Sequence, residues 1–229
     1  MRNGRIIFVP LDRQLILHHA FAVLNEAGLE GLTLRRLAAR LHVQAPAIYW
    51  HFKNKQELLD EMGTQVLLEA RVDEAILREL PTWQEWAKAY CAGLRNAFLR
   101  YRDGAKMASG TYLTDTKMFA VMEMSLRKFI DAGFTLRQAV VGLGTFYSYT
   151  VGFVIEEQAV KLGSVEDGEH YNLTAREQRV NREAHPLAAA AGVEMFTDHD
   201  SRFMEGVELI AAGLASALRN MDAGLTNPA

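Results

Sequence analysis

The sequence predicts an all-α protein, and three observations carry that prediction. Proline is scarce, at 5 of 229 residues, while leucine and alanine are abundant. Apolar residues recur at helical three- and four-residue spacing along most of the chain. A content of 49% hydrophobic and 23% charged residues supplies a sizeable core, which excludes a disordered chain. The single cysteine, Cys91, excludes a disulfide scaffold and a Cys-rich zinc site and fits a reducing cytoplasm.

The first helix is expected from Asp12 to Ala27. Ile16, Leu17, Ala20, Phe21 and Leu24 form its apolar stripe, Asp12 caps its start, and Gly28 sits where a terminal glycine belongs. Thr33 is placed to cap a short helix, Leu34 to Leu41, with Leu34, Leu37, Ala38 and Leu41 inward. His42-Val43-Gln44 forms a turn, and Ala45-Pro46 opens a third, very short helix that ends near His51-Phe52. Asn54, with Glu57 three residues on, has the arrangement of a capping box for a long helix. That helix is expected to reach Leu80, with Leu58, Met62, Val66 and Ala70 inward. Further helices are expected over Trp83–Tyr101, Lys117–Ala132, Leu136–Gln158, Pro186–Met195 and Ser201–Met221, and the polar stretch Lys161–Asn181 reads as a mobile loop. The charge-free run from Gln138 to Ile155 carries hydroxyls, two of them on tyrosines, and is read as a buried helix rather than a membrane span. The apolar run at the N-terminus is too short for a signal peptide, so a cytoplasmic protein with no membrane partner is expected.

A net charge of −3 hides an asymmetry. Residues 1–60 hold eight Lys/Arg against five Asp/Glu, a net +3, and the remainder carries 17 against 23, a net −6. A basic head on an acidic body is the charge footprint of a nucleic-acid module joined to something else. Three short helices with a three-residue turn between the last two describe a helix-turn-helix.

The segment LTLRRLAARLHVQAPAIYWHFKNKQELLD resembles the tetracycline-repressor family of bacterial transcription factors. Thr33, Arg35, Leu37, Ala38, Val43 and Pro46 carry the resemblance, followed by the ordered triplet Tyr49-Trp50-His51 and by Lys53, Lys55, Leu58 and Leu59. It extends to Arg100-Tyr101-Arg102-Asp103-Gly104-Ala105-Lys106, to Ala132-Gly133-Phe134 and to Glu156, and so spans nearly the whole chain. It implies a three-helix DNA-binding head over residues 1–55 and a helical ligand-binding and dimerisation domain over 56–229.

The head residues suit that role chemically. A helix starting at Ala45 would place its first turn in the major groove. Arg35 carries the fork that pairs with guanine, and Gln44 offers an amide for adenine. Ala45 and Ala47 offer apolar contact, for instance to a thymine methyl, and Pro46 opens the same turn. Tyr49, His51 and Lys55 can donate to phosphates, and Thr33 presents its hydroxyl and a helix start beside one. Trp50 belongs to the same set, although core packing is the role expected of it.

In the body, the resemblance implies a ligand cavity and a homodimer built by pairing two helices from each subunit. Leu136–Gln158, apolar almost all round, is expected to be buried on both sides; Ser201–Met221 carries the small residues Gly206, Ala211, Ala212, Gly213, Ala215 and Ala217. Dimerisation implies a palindromic operator with half-sites ~34–36 Å apart. The resemblance argues against tetracycline itself. The position of the magnesium-binding histidine holds Ala108, the arginine four residues later is Tyr112, and a histidine expected on the long apolar helix is Ser148. Other drug-contacting positions correspond to Arg71, Tyr90 and Leu94, and Glu156 alone does not make a magnesium site. No metal and no cofactor are expected. The cavity is expected to be aromatic and methionine-rich, drawn from Tyr90, Leu94, Met107, Tyr112, Met118, Met122, Phe146, Tyr147 and Phe153, with Arg71 and Glu156 as charged candidates. The inducer is then an unknown aromatic or hydrophobic small molecule.

The function so implied is a ligand-responsive repressor released from DNA by that molecule. Two alternatives stand beside it: a DNA-binding regulator with no small-molecule inducer, controlled by a partner or acting as an activator, and a helical enzyme. No nucleophile–base pair, phosphate loop, dinucleotide fingerprint or metal cluster supports an enzyme.

Overall fold

The computed structural model describes residues 11–70, 79–166 and 173–225, except for the side chains of 162–166 and 219–225. The described residues form eleven α-helices and no strand. Three of them make the head: α1 (Arg13–Gly31), α2 (Leu34–Arg40) and α3 (Ala45–Tyr49). Local chemistry sets their boundaries. Asp12 accepts the Leu15 N–H at 2.8 Å and Thr33 accepts the Arg36 N–H at 3.1 Å, each satisfying a donor that the first helical turn leaves free. Gly28, at φ 68°, breaks α1, and the chain then runs on through one more turn to Gly31. Between α2 and α3, His42 takes a left-handed conformation at φ 55° and gives the turn its sharp reversal.

The long helix α4 (Lys55–Glu69) starts at Asn54, whose side chain accepts the Glu57 N–H at 2.9 Å. The Glu57 carboxylate reaches back to the N–H of Lys53, not of Asn54, so the expected box is offset by one residue. Residues 71–78, which the expected helix would also have covered, lie outside the described residues.

The body comprises α5 (Trp83–Leu99), α6 (Gly104–Ala108), α7 (Lys117–Asp131), α8 (Leu136–Glu166), α9 (Leu173–Arg179), α10 (Pro186–Phe196) and α11 (His199–Leu225). Thr82 and Glu85 form a complete capping box for α5. The Lys161–Asn181 stretch is not a loop throughout: α8 continues to Glu166, and α9, made of the good helix formers in LTAREQR, falls within it. Arg176 of α9 donates to the Ala188 carbonyl of α10 at 2.6 Å. Composition alone, polar and mixed in charge, concealed this helix.

Two apolar clusters hold the fold. One joins the head to the near part of the body, packing Leu37, Ile48, Phe52 and Leu58 with Phe98 and Val151. The other lies further out and packs Trp83, Trp86, Phe129, Phe134, Phe146 and Phe203. Each fully buried aliphatic or aromatic side chain contributes ~1.5–3 kcal/mol. The Leu136–Lys161 part of α8 is long and apolar enough to cross a membrane, yet it packs against α5, α7 and α11 inside this helical body. It is not buried on both sides as expected: Leu136, Val140 and Val141 are exposed.

Candidate nucleic-acid interface and ligand cavity

The short helix α3 is held from below. Ile48 and Phe52, one helical turn apart, are fully buried, which fixes the face of α3 that points into the head. Arg13 of α1 lies over the Phe52 ring at 4.2 Å and donates to the His51 carbonyl, to Glu57 and to Glu61. One guanidinium therefore ties α1, the end of α3 and α4 together. Its pKa is held above the ordinary arginine value, chiefly by the hydrogen bond to Glu61. Nothing in the sequence marks this anchor, because Arg13 counts there only as one more basic residue.

With that side fixed, the opposite side is presented to solvent. Thr33, Arg35, Gln44, Pro46 and Tyr49 are exposed, and Ala45, Ala47 and His51 are half-buried beside them. Trp50 does not pack in the core: it is 89% exposed. It lies two residues from both Ile48 and Phe52, roughly 200° around the helix at ~100° per residue, so it points away from the core. Lys55 is half-buried, and its ammonium donates to the Leu29 carbonyl at 2.8 Å. Of the three arginines on α2, Arg40 is paired with both carboxylate oxygens of Glu26 at 2.7 Å, while Arg35 and Arg36 point outward. The exposed residues of α2–α3 and the turns beside them thus include two guanidinium groups, an amide, hydroxyls and two large aromatic rings, the combination used to meet base edges and phosphates.

The cavity in the body has a volume of about 300 Å³ and lies between α4, α5, α7 and α8. From α5 it takes Trp86, Tyr90 and Leu94, at i, i+4 and i+8, with Trp86 stacked on Tyr90 at 5.1 Å. From α7 come Met118, Val121, Met122, Met124 and Ser125; from α8, Val140, Leu143, Gly144 and Tyr147. Leu67 and Ala70 close the wall on α4. Two of the hydroxyls already have partners: Ser125 donates to the Val121 carbonyl at 2.7 Å and Tyr147 to the Ala108 carbonyl at 3.4 Å. Burial raises the pKa of the Tyr90 phenol, which stays neutral.

Of the expected cavity residues, the structure brings together Tyr90, Leu94, Met118, Met122 and Tyr147. It places the others elsewhere. Met107 is buried in the cluster shared with the head. Tyr112 is 77% exposed, with its main-chain N–H on Asp60. Phe146 is buried in the outer cluster, and Phe153 packs on Tyr149 and Phe203. Glu156 is exposed. Helix phase is the reason: with Tyr147 facing the cavity, Phe146 is ~100° away and Glu156, nine residues on, lies on the opposite side. Arg71 lies outside the described residues. Trp86, Met124 and Leu143 were missed, although Trp86 shares the four-residue spacing of Tyr90 and Leu94. Among the described residues, no group of three or more His, Cys, Asp or Glu side chains is placed to hold a metal ion.

The buried carboxylate of α8 is Glu157, next to the expected Glu156. It accepts two hydrogen bonds from Arg95 of α5, at 2.8 and 2.9 Å, and one from Lys161 at 2.6 Å. Arg95 also reaches Asp200 of α11 at 2.6 Å, and its guanidinium lies 5.1 Å from the Phe203 ring. Desolvation pushes the Glu157 pKa up, but the hydrogen bonds from Arg95 and Lys161 outweigh it and hold the group below the ordinary carboxylate value.

Comparison with known proteins agrees with this architecture. Residues 16–62 match the family model for bacterial regulatory proteins of the tetR family, and residues 78–218 match that for the tetracyclin repressor-like C-terminal domain. The chain is 36% identical over 204 residues to the tetracycline repressor protein class C of Escherichia coli, covering 89% of this chain and 90% of that protein. Among solved structures, one described as a possible TetR family transcriptional regulator from Streptomyces coelicolor A3(2) superposes with a TM-score of 0.78 at 29% identity, over 90% of this chain and 100% of the other. The Streptomyces coelicolor TetR family protein ActR, in complex with actinorhodin, superposes with a TM-score of 0.76 at 26% identity, over 92% of this chain and 99% of the other.

Proposed function

Since the chain belongs to the tetracycline-repressor family, we propose that it is a DNA-binding transcriptional repressor that a small molecule releases from its operator. One observation supports this reading above the others: the exposed face of α2–α3 and a partly open apolar cavity share the helix α4, which starts beside the first and walls the second. A ligand that binds the cavity better in one setting of α4 than in the other shifts the head between DNA-competent and released positions. Residues 1–55 are assigned to the head and 56–229 to the body. Thr33, Arg35, Gln44, Ala45, Pro46, Ala47, Tyr49, Trp50 and His51 are assigned to DNA.

The working unit in this reading is a homodimer on a palindromic operator. Leu136, Val140 and Val141 of α8 and Leu209 of α11 are large apolar side chains left exposed in the single chain. A Cβ added at Gly152 or Gly213 would meet open space, which suits close approach by another helix. A second copy laid along α8 and α11 covers this surface.

The ligand is mainly apolar and aromatic. A volume of about 300 Å³ lies at the low end of the range for small-molecule sites, and the stacked Trp86–Tyr90 pair offers a flat wall. The test is release of a fluorescently labelled operator, followed by anisotropy, against a panel of neutral planar aromatics. Release by a member of the panel that also binds the free protein is the expected result. An operator complex insensitive to all such compounds would favour the regulator without a small-molecule inducer.

A further inference from the structure

Leu29 lies just past the break in α1, and both of its main-chain polar groups are taken by side chains from other elements. Its N–H donates to the Asp103 carboxylate at 2.9 Å, and its carbonyl accepts from the Lys55 ammonium at 2.8 Å. Asp103 belongs to the turn between α5 and α6, and Lys55 is the first residue of α4. A single residue of the head is thus held by the body on one side and by α4 on the other. The close approach requires Gly28, because a Cβ there would meet the Asp103 carboxylate at 2.9 Å.

The turn that carries Asp103 is bound to the head at further points and also to α8, the helix that lines the cavity. The Arg102 main-chain N–H donates to the Asn25 side chain at 2.9 Å, and the Tyr101 ring stacks on Phe21 at 4.4 Å. Gln158 of α8 donates to the Tyr101 carbonyl at 2.8 Å. Tyr147, on the same helix, lines the cavity and donates to the Ala108 carbonyl at the end of α6. The cavity therefore reaches the head by two routes, through α4 and through this turn, and they meet at Leu29.

We propose that Asp103 and Lys55 are positioning residues for DNA recognition, acting through the Leu29 main chain to set the angle at which the head leaves the body. The proposal rests on the reading of α2–α3 as the DNA-binding surface. It also gives Lys55 a different part from the phosphate contact expected of it: the ammonium serves as a tether inside the protein. A phosphate contact and a tether differ in one measurable respect. Each phosphate neutralised adds ~0.9 to the slope of log affinity against log salt, whereas a tether that only orients the head changes affinity and leaves the slope alone.

The experiment uses the full chain and a DNA fragment enriched by the wild-type protein from a random pool. Affinity is measured across a salt series for the wild type, Lys55→Met, Asp103→Ala, Asp103→Asn and the Lys55→Met/Asp103→Ala double variant. The expected result is a loss of about tenfold in both single variants at an unchanged slope. Asp103→Asn, which keeps an acceptor oxygen, retains most of the affinity, and the double variant loses less than the product of the singles because both act through one residue. A slope lowered by about 1 in Lys55→Met would make Lys55 a phosphate ligand and overturn the proposal. Unchanged affinity in Asp103→Ala, or strictly multiplicative losses, would overturn it equally. Should Asp103→Ala fold poorly, amide exchange at Leu29 in the wild type decides: protection that rises on adding DNA supports the joint, and unaltered protection refutes it. A wild type that enriches no sequence refutes the DNA reading itself, and does so before any variant is compared.

Discussion

Arg95 and Glu157 face each other across α5 and α8 with two parallel hydrogen bonds, at 2.8 and 2.9 Å, and the Glu157 side chain has no solvent exposure. Asp200 of α11 joins from the outer side, so three long helices of the body meet at one guanidinium. A buried pair of this kind gains little over an apolar pair of the same shape, but it fixes register, because each partner is costly when left alone. Here it holds α8 and α11, which carry the exposed apolar surface assigned to dimerisation, at a set rotation on α5.

Removing one partner is therefore expected to cost more than removing both. Glu157→Leu leaves the buried Arg95 guanidinium with the solvent-exposed Asp200 in place of a buried bidentate partner and is expected to lower stability by up to ~3–5 kcal/mol, while Arg95→Met with Glu157→Leu recovers much of the loss. Urea unfolding at a fixed protein concentration checks this. A loss under ~1 kcal/mol in the single variant would show that the pair is solvated and weak.

Acid should unfold the protein partly through this group. Because the Glu157 pKa is held below the ordinary carboxylate value of 4.5, its contribution is fully present above that pH and is lost as pH falls below it. Wild-type stability is expected to fall more steeply below about pH 4.5 than that of Glu157→Gln, which has no carboxylate to protonate there. Parallel pH profiles of the two proteins would contradict the assignment.

Trp50 has the opposite expectation. Being 89% exposed, it holds nothing in the free chain, so Trp50→Ala should leave unfolding within ~0.5 kcal/mol of wild type. Its affinity for enriched DNA should fall, since a large exposed ring beside Tyr49 and His51 finds cover only against DNA. A destabilised variant with unaltered DNA affinity would return Trp50 to the core.

Magnesium is not expected to take part in ligand binding. The cavity oxygens among the described residues are hydroxyls, two of them already donating to carbonyls, whereas Mg²⁺ asks for carboxylate or phosphate oxygens at ~2.0–2.1 Å. Calorimetric titration with tetracycline should show no binding that depends on millimolar magnesium. Binding that appears only with the metal would contradict this.

The head was legible in the sequence because its signals are local. Asp12, Thr33 and Asn54 cap as their spacing implies, Gly28 breaks α1, and Leu37, Ala38 and Leu58 fall inward by helical period. The body was legible as helices but not as a site. On α8 nearly every face is apolar, so the pattern carries no phase, and Phe146, Phe153 and Glu156 could not be told from Leu143, Tyr147 and Glu157. Contacts between distant segments left no trace: Arg13 on His51, Asp103 on Leu29 and Arg95 on Glu157 are 38, 74 and 62 residues apart.

The most direct test of the central claim is selection of bound fragments from a random DNA pool by the purified protein at a stated salt concentration. The account predicts an enriched palindrome whose half-sites are about one helical turn apart, ~34–36 Å, matching two α3 helices related by a dimer axis. No enrichment, or only general binding that salt abolishes, would mean that the exposed face of α2–α3 does not read DNA sequence.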